Sequence, residues 1–144
     1  MNLIYITNTR LPSEKANSYQ SMQMCHNFAK HYKHVELWVP KANNTEVLNQ
    51  VKDIYGFYNI KQNFLIKRFF QCDLNFLKMI NEFIWANVKG VVFALNIISN
   101  LIFLKDKDSV IFTRDWYVLK ILLFAKKMGL IKYKIYFEAH KFSN

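Results

Sequence analysis

The stretch YITNTRLPSEKANSYQSMQMC, residues 5–25, begins as a β-strand, breaks into a run of polar and turn-forming residues, and resumes with helical spacing and no glycine at the junction. Tyr19, Met22, Cys25, Phe28, Ala29 and Tyr32 recur at steps of three and four, which predicts a helix with that face turned to a sheet. Asn17 followed by Gln20 suits a capping box that opens this helix. Its N-terminus would then sit just after the first strand, where unpaired N–H groups and the helix dipole favour an anion.

The same alternation runs through the rest of the chain. Short apolar runs, NLIYIT at 2–7, HVELWVP at 34–40, NFLIKRF at 63–69, SVIFTR at 109–114 and KIYFEAH at 134–140, are separated by longer segments of helical period. The runs are rich in β-branched and aromatic residues with little polar alternation, as strands covered on both faces are. Strand and helix in alternation predict an α/β chain with a parallel sheet of about five strands, doubly wound and Rossmann-like. At 144 residues, the length suits one domain spanning residues 1–144.

Twenty Lys and Arg against ten Asp and Glu give a formal charge of +10, a bias toward phosphorylated ligands, anionic membrane or nucleic acid. The basic residues are scattered, with no run longer than Lys67-Arg68 or Lys126-Lys127, so no nucleic-acid tail is expected. Cys25 and Cys72 form no CxxC and have no histidine cluster beside them, which reads as two reduced thiols and no zinc site. MNLIYIT lacks the basic flank of an ordinary signal peptide. The uncharged run GVVFALNIISNLIFL, 90–104, covers ~22 Å as a helix, short of a ~30 Å hydrocarbon core. A packed helix within residues 83–104 is expected, lying against a membrane or within the protein, with a membrane span as the alternative; Asn96, Ser99 and Asn100 recur at helical spacing as a polar edge.

Ligands of doubly wound sheets bind beyond the carboxyl ends of the strands, where the chain order reverses. Three segments converge there: Thr7 to Lys15, Thr113-Arg114-Asp115, and Glu138-Ala139-His140. The first supplies Thr9, Arg10, Ser13, Glu14 and Lys15, a mixed set of donors and acceptors suited to hydroxyl-rich or phosphorylated groups. No GxGxxG or Walker loop is present, because Gly56, Gly90 and Gly129 all lie elsewhere. A phosphoacceptor domain would want clustered carboxylates after the first strand, where Asn8, Thr9 and Arg10 stand. Asp115 fits a ligand contact or the cap of the following helix, with Arg114 as its surface partner in the second case. Glu138 and His140 alternate along the last strand and so face the same way, one as an acceptor for sugar hydroxyls, the other as a proton carrier.

YITNTRLPSEKANSYQSMQMCHNFAKH with VELWVP, then VIFTRD and FEAH, resembles the N-terminal domain of the family 4 glycosyltransferases, retaining enzymes of the two-domain B-type fold. The likeness covers almost the whole chain, and its most specific piece is LPSEKANSYQSMQMC. It implies that this domain binds the sugar acceptor, a glycan or lipid-linked saccharide. A second Rossmann-like domain would hold the nucleotide-sugar donor through paired glutamates and a basic residue. That domain is expected on a partner chain or beyond HKFSN, which directly follows the fifth strand. His140 matches the family's histidine near the reacting sugar; Arg10, Glu14 and Lys15 match the first-loop region by position. Ala16, Asn17 and Ser18 stand where many relatives carry glycines, and Asn17 joins the expected substrate-binding set with Thr9, Ser13, Arg114, Asp115 and Glu138. No metal or other cofactor is implied. The expected location is cytoplasmic, at the inner face of a membrane where the acceptor is lipid-linked. From a different class, the alternative is a non-catalytic basic module docking on an anionic membrane, with Lys126, Lys127, Lys132 and Lys134 beside Phe124, Met128, Leu130 and Ile131.

Overall fold

Leu3, Ile4, Tyr5 and Ile6 are all buried, so both faces of the first strand meet protein, as a central parallel strand requires. The computed structural model of the chain describes residues 1–41, 45–70, 82–104 and 108–139. In it β1 (Asn2–Ile6) lies between β2 (His34–Lys41) and β4 (Ser109–Thr113), with β3 (Leu65–Phe70) and β5 (Lys134–Phe137) outside them. Every neighbouring pair is parallel and the order is β3-β2-β1-β4-β5. Asn2 aligns with His34 on one side and Ser109 on the other, which brings the carboxyl ends of β1 and β4 level. The chain steps outward through β2 and β3 and then returns to the far side of β1. This is a Rossmann-like doubly wound sheet, and its order reverses between β1 and β4.

Helices cover both faces: α1 (Ala16–Phe28), α2 (Glu46–Asn49) and α3 (Ile54–Phe57) follow β1 and β2, α4 (Glu82–Phe103) follows β3, and α5 (Trp116–Lys127) follows β4. Alternate strand residues build two cores. Leu3, Tyr5, Val35, Leu37, Val39 and Val110 pack with Met22 and Cys25 of α1 and with Tyr58 after α3. Ile4, Ile6, Trp38 and Ile111 pack with Phe93, Ile97 and Leu101 of α4 and Val118, Leu122 and Ala125 of α5. Each fully buried side chain of this size contributes ~1.5–3 kcal/mol of hydrophobic stabilisation.

The start of α1 departs from the expected capping box. Lys15 is the N-cap and makes no side-chain cap bond, while Asn17 is already inside the helix. Ser13 Oγ instead accepts from the Lys15 N–H at 3.2 Å, fixing the turn one residue before the cap. Tyr19 is also not on the buried face; at 52 % exposed it leans toward Tyr58, with ring centroids 6.3 Å apart. Ser18 and Ser21 take the inner positions because polar groups await them there. Ser18 Oγ donates to the Arg10 carbonyl at 3.2 Å, and Ser21 Oγ donates to the Asn17 carbonyl at 2.9 Å and lies 3.3 Å from the Tyr5 hydroxyl.

The uncharged run forms the greater part of α4, which packs inward through Phe93, Ala94, Ile97 and Leu101. No helix among the described residues is long and apolar enough to cross a membrane. Asn96 Nδ2 donates to the Phe70 carbonyl at 3.3 Å, tying the end of β3 to the helix. Gly90 is required by the α4–α5 contact: a Cβ there would lie 2.6 Å from Cε1 of Tyr117.

Candidate functional site

Beyond the carboxyl ends of β1 and β4 lies a cleft of about 200 Å³. Tyr5, Thr7, Asn8 and Thr9 line it from β1 and its loop, Asn17, Gln20 and Ser21 from α1, and Arg114 and Asp115 from the β4–α5 junction. Hydroxyls and amides make up most of these walls. Thr7 and Thr9 are buried and their hydroxyls lie 3.0 Å apart.

Arg114 brings the positive charge. Its side chain is only 8 % exposed; one guanidinium nitrogen lies 3.6 Å from Glu138 Oε1 and the other donates to Met24 Sδ at 3.4 Å. The same guanidinium acts on the Tyr5 hydroxyl. Burial pushes the Tyr5 phenol up, and the Ser21 hydrogen bond and the Arg114 charge offset part of that rise. Arg114 is therefore a buried wall of the cleft, and the alternative that made it a surface partner of Asp115 does not hold.

Asp115 is the N-cap of α5: Oδ1 accepts from the N–H groups of Tyr117 at 2.9 Å and Val118 at 3.2 Å. Its own N–H donates to Thr113 Oγ1 at 3.1 Å. The cap alternative holds, and it leaves Asp115 in the cleft wall as well. Both α1 and α5 begin at this cleft, so their positive dipole ends add to Arg114 and the Asp115 carboxylate offsets part of the sum.

The expected set divides here. Thr9, Asn17, Arg114 and Asp115 come together around the cleft, and Glu138 reaches it through Arg114. Ser13 is buried in the loop, its N–H donating to the Tyr58 hydroxyl at 2.7 Å and its carbonyl accepting from that hydroxyl at 2.8 Å. Arg10 is half-buried and contributes its carbonyl to Ser18, while Glu14 and Lys15 are exposed; none of the three lines the cleft. β5 ends at Phe137, so Glu138 follows the strand, although its N–H still reaches the Thr113 carbonyl at 3.2 Å. His140 and Cys72 lie outside the described residues. Cys25 is buried, which pushes its thiol well up.

Gln20, Ser21, Tyr5 and Asn8 were not singled out as ligand contacts by the sequence. The spacing of Asn17, Gln20 and Ser21 at three and four residues carries a signal, since it puts three polar side chains on one face of the first helical turns. Tyr5 carries none, because an aromatic residue in a buried strand reads as core. Among the described residues no three His, Cys, Asp or Glu side chains gather in a group able to hold a metal ion. In comparisons with family models, curated proteins and solved structures, the chain gives no match.

Proposed function

We propose that the cleft between β1 and β4 binds a hydroxyl-rich, negatively charged saccharide, and that the chain is the acceptor-binding half of a retaining glycosyltransferase. The observation that supports this best is the buried Arg114 guanidinium in a wall otherwise made of hydroxyl and amide groups. Threonine and serine hydroxyls with Asn and Gln amides match the alternating donors and acceptors of a sugar. The guanidinium and two helix N-termini match a phosphate on it. The family resemblance of the loop from Leu11 to Cys25 adds the reaction class: transfer from a nucleotide sugar held by another domain to a glycan or lipid-linked acceptor, with His140 near the reacting sugar.

Ligand binding to the isolated chain tests this by titration calorimetry and saturation-transfer NMR, using a hexose 1-phosphate, the free hexose and a nucleotide sugar. The sugar phosphate is expected to bind, and Gln20→Ala and Asn17→Ala, both at exposed positions, to weaken it ~3- to 10-fold each, the worth of one hydrogen bond. The nucleotide sugar is expected to bind no tighter than the sugar phosphate. Absence of sugar phosphate binding at millimolar concentration would remove the saccharide reading; micromolar nucleotide-sugar binding would remove the division of donor and acceptor between domains.

A further inference from the structure

At the opposite end of the sheet from the cleft, the helices that cover one face expose apolar side chains instead of burying them. Ile102 and Phe103 close α4, and Leu123, Phe124, Met128 and Leu130 lie along the last turns of α5 and just after it. All six are exposed, Phe103 by 82 % and Phe124 by 63 %. The two helix ends are held together. Tyr133 donates its hydroxyl to the Leu101 carbonyl at 3.1 Å, and Ile102, Leu130 and Lys132 share the rim of a hollow of about 230 Å³. Exposed apolar groups that gather in this way mark an interaction surface.

Charge identifies the occupant. Residues 116–137 contain five lysines, Lys120, Lys126, Lys127, Lys132 and Lys134, and no Asp or Glu. All five are exposed; Lys126, Lys127, Lys132 and Lys134 accompany the apolar side chains at the end of α5 and after it, while Lys120 lies over the Trp116 ring in its first turns. Like charge disfavours a second copy of a chain carrying +10. Lysines bordering exposed aromatic and aliphatic side chains suit a bilayer interface, with the rings in the acyl boundary and the ammonium groups at the headgroups. We infer that the carboxyl ends of α4 and α5 form a docking surface for an anionic lipid bilayer.

This surface stands independently of the saccharide reading. Ile131, which the sequence grouped with the interface, is 2 % exposed and belongs to the core. Docking leaves the cleft in water, since helices that cross back over a parallel sheet end beside the amino ends of its strands.

The experiment is co-sedimentation with vesicles of equimolar phosphatidylcholine and phosphatidylserine and with vesicles of phosphatidylcholine alone, across a salt series. Binding is expected only to the mixed vesicles and is expected to fall as salt rises. Each lysine near such a surface is worth about fivefold, so Lys127→Glu with Lys132→Glu should weaken binding more than ~25-fold. Phe103→Ser with Phe124→Ser should weaken it by ~10-fold or more. Circular dichroism melts of both pairs should match the parent chain, because all four positions are exposed. Equal binding to both vesicle types, unchanged binding by either double variant, or a dimer in analytical ultracentrifugation that the phenylalanine pair dissolves would each overturn the inference.

Discussion

Glu36 on β2 is 8 % exposed at the amino end of the sheet, and what keeps it charged is local. Its carboxylate accepts from Trp38 Nε1 at 2.6 Å and lies 2.9 Å from Lys67 Nζ and 3.1 Å from His34 Nε2. Burial alone would push this carboxyl up, but the bonds from Lys67, Trp38 and His34 outweigh it and hold the group below its ordinary value. A carboxyl depressed in the folded state stabilises the fold in full above its unfolded value and loses that contribution as pH falls through the folded one. Lys67 is 44 % exposed, which screens the pair, so the net worth is about 1 kcal/mol. Glu36→Gln is therefore expected to lower the Tm by ~2–4 °C at neutral pH, with the gap closing below the usual carboxylate range. A Tm-against-pH series for both chains measures it, and a gap that stays constant into acid would refute the carboxylate's role. Arg114 shows how little of such a setting is legible from one residue. Its neighbours Met24 and Glu138 are 90 and 24 positions away, so the strand-end position suggested a site while the burial did not show.

Elements were more legible than their termini. β1, β2 and β4 could be read because a run such as HVELWVP is covered on both faces and needs no alternation; β3 and β5, largely exposed at the sheet edges, were legible from their β-branched and aromatic content alone. The stripe on α1 was misread at Tyr19 because its inner positions go to Ser18 and Ser21. Those serines answer the Arg10 and Asn17 carbonyls and the Tyr5 hydroxyl, partners that no local pattern announces. Loop residues Ser13, Glu14 and Lys15 were expected at the site because they follow β1, yet the loop turns Ser13 inward to Tyr58 before α1 begins. Asp115 was read as a ligand contact or a helix cap; the structure shows the cap, and the two roles can be separated by mutation. Asn caps a helix about as well as Asp, and Ala costs ~1 kcal/mol. Asp115→Ala should thus lower the Tm while Asp115→Asn leaves it nearly unchanged. If the carboxylate only caps α5, Asp115→Asn should leave sugar phosphate affinity unchanged or slightly improved, since one negative charge leaves a cleft that attracts anions. A fall in affinity with unchanged Tm would make Asp115 a ligand contact as well.

At the scale of the molecule, a parallel sheet has two chemically different ends. Strand carboxyl ends and helix amino ends meet at the cleft, whereas helix carboxyl ends meet strand amino ends at the lysine-bordered surface. β1 has five residues, which separates the two ends by roughly 16 Å at 3.3 Å per residue. That is about twice the ~8 Å screening length at physiological ionic strength, so charge at one end acts weakly on the other. The strands and α5, which runs from Asp115 at the cleft to Lys127 at the docking surface, join them, but a close-packed core transmits a change only where it has two arrangements. Occupancy of the two ends should therefore be independent. Hydrogen exchange with a hexose 1-phosphate is expected to slow amides around Thr7, Asn17 and Asp115, whereas exchange on mixed vesicles slows those from Leu123 to Leu130. Sugar phosphate affinity measured on vesicle-bound chain should stay within about twofold of its free value, the effect expected of sites with no shared partner. Competition between vesicles and sugar phosphate would mean that one basic surface serves both, and the separation of cleft from docking surface would fail.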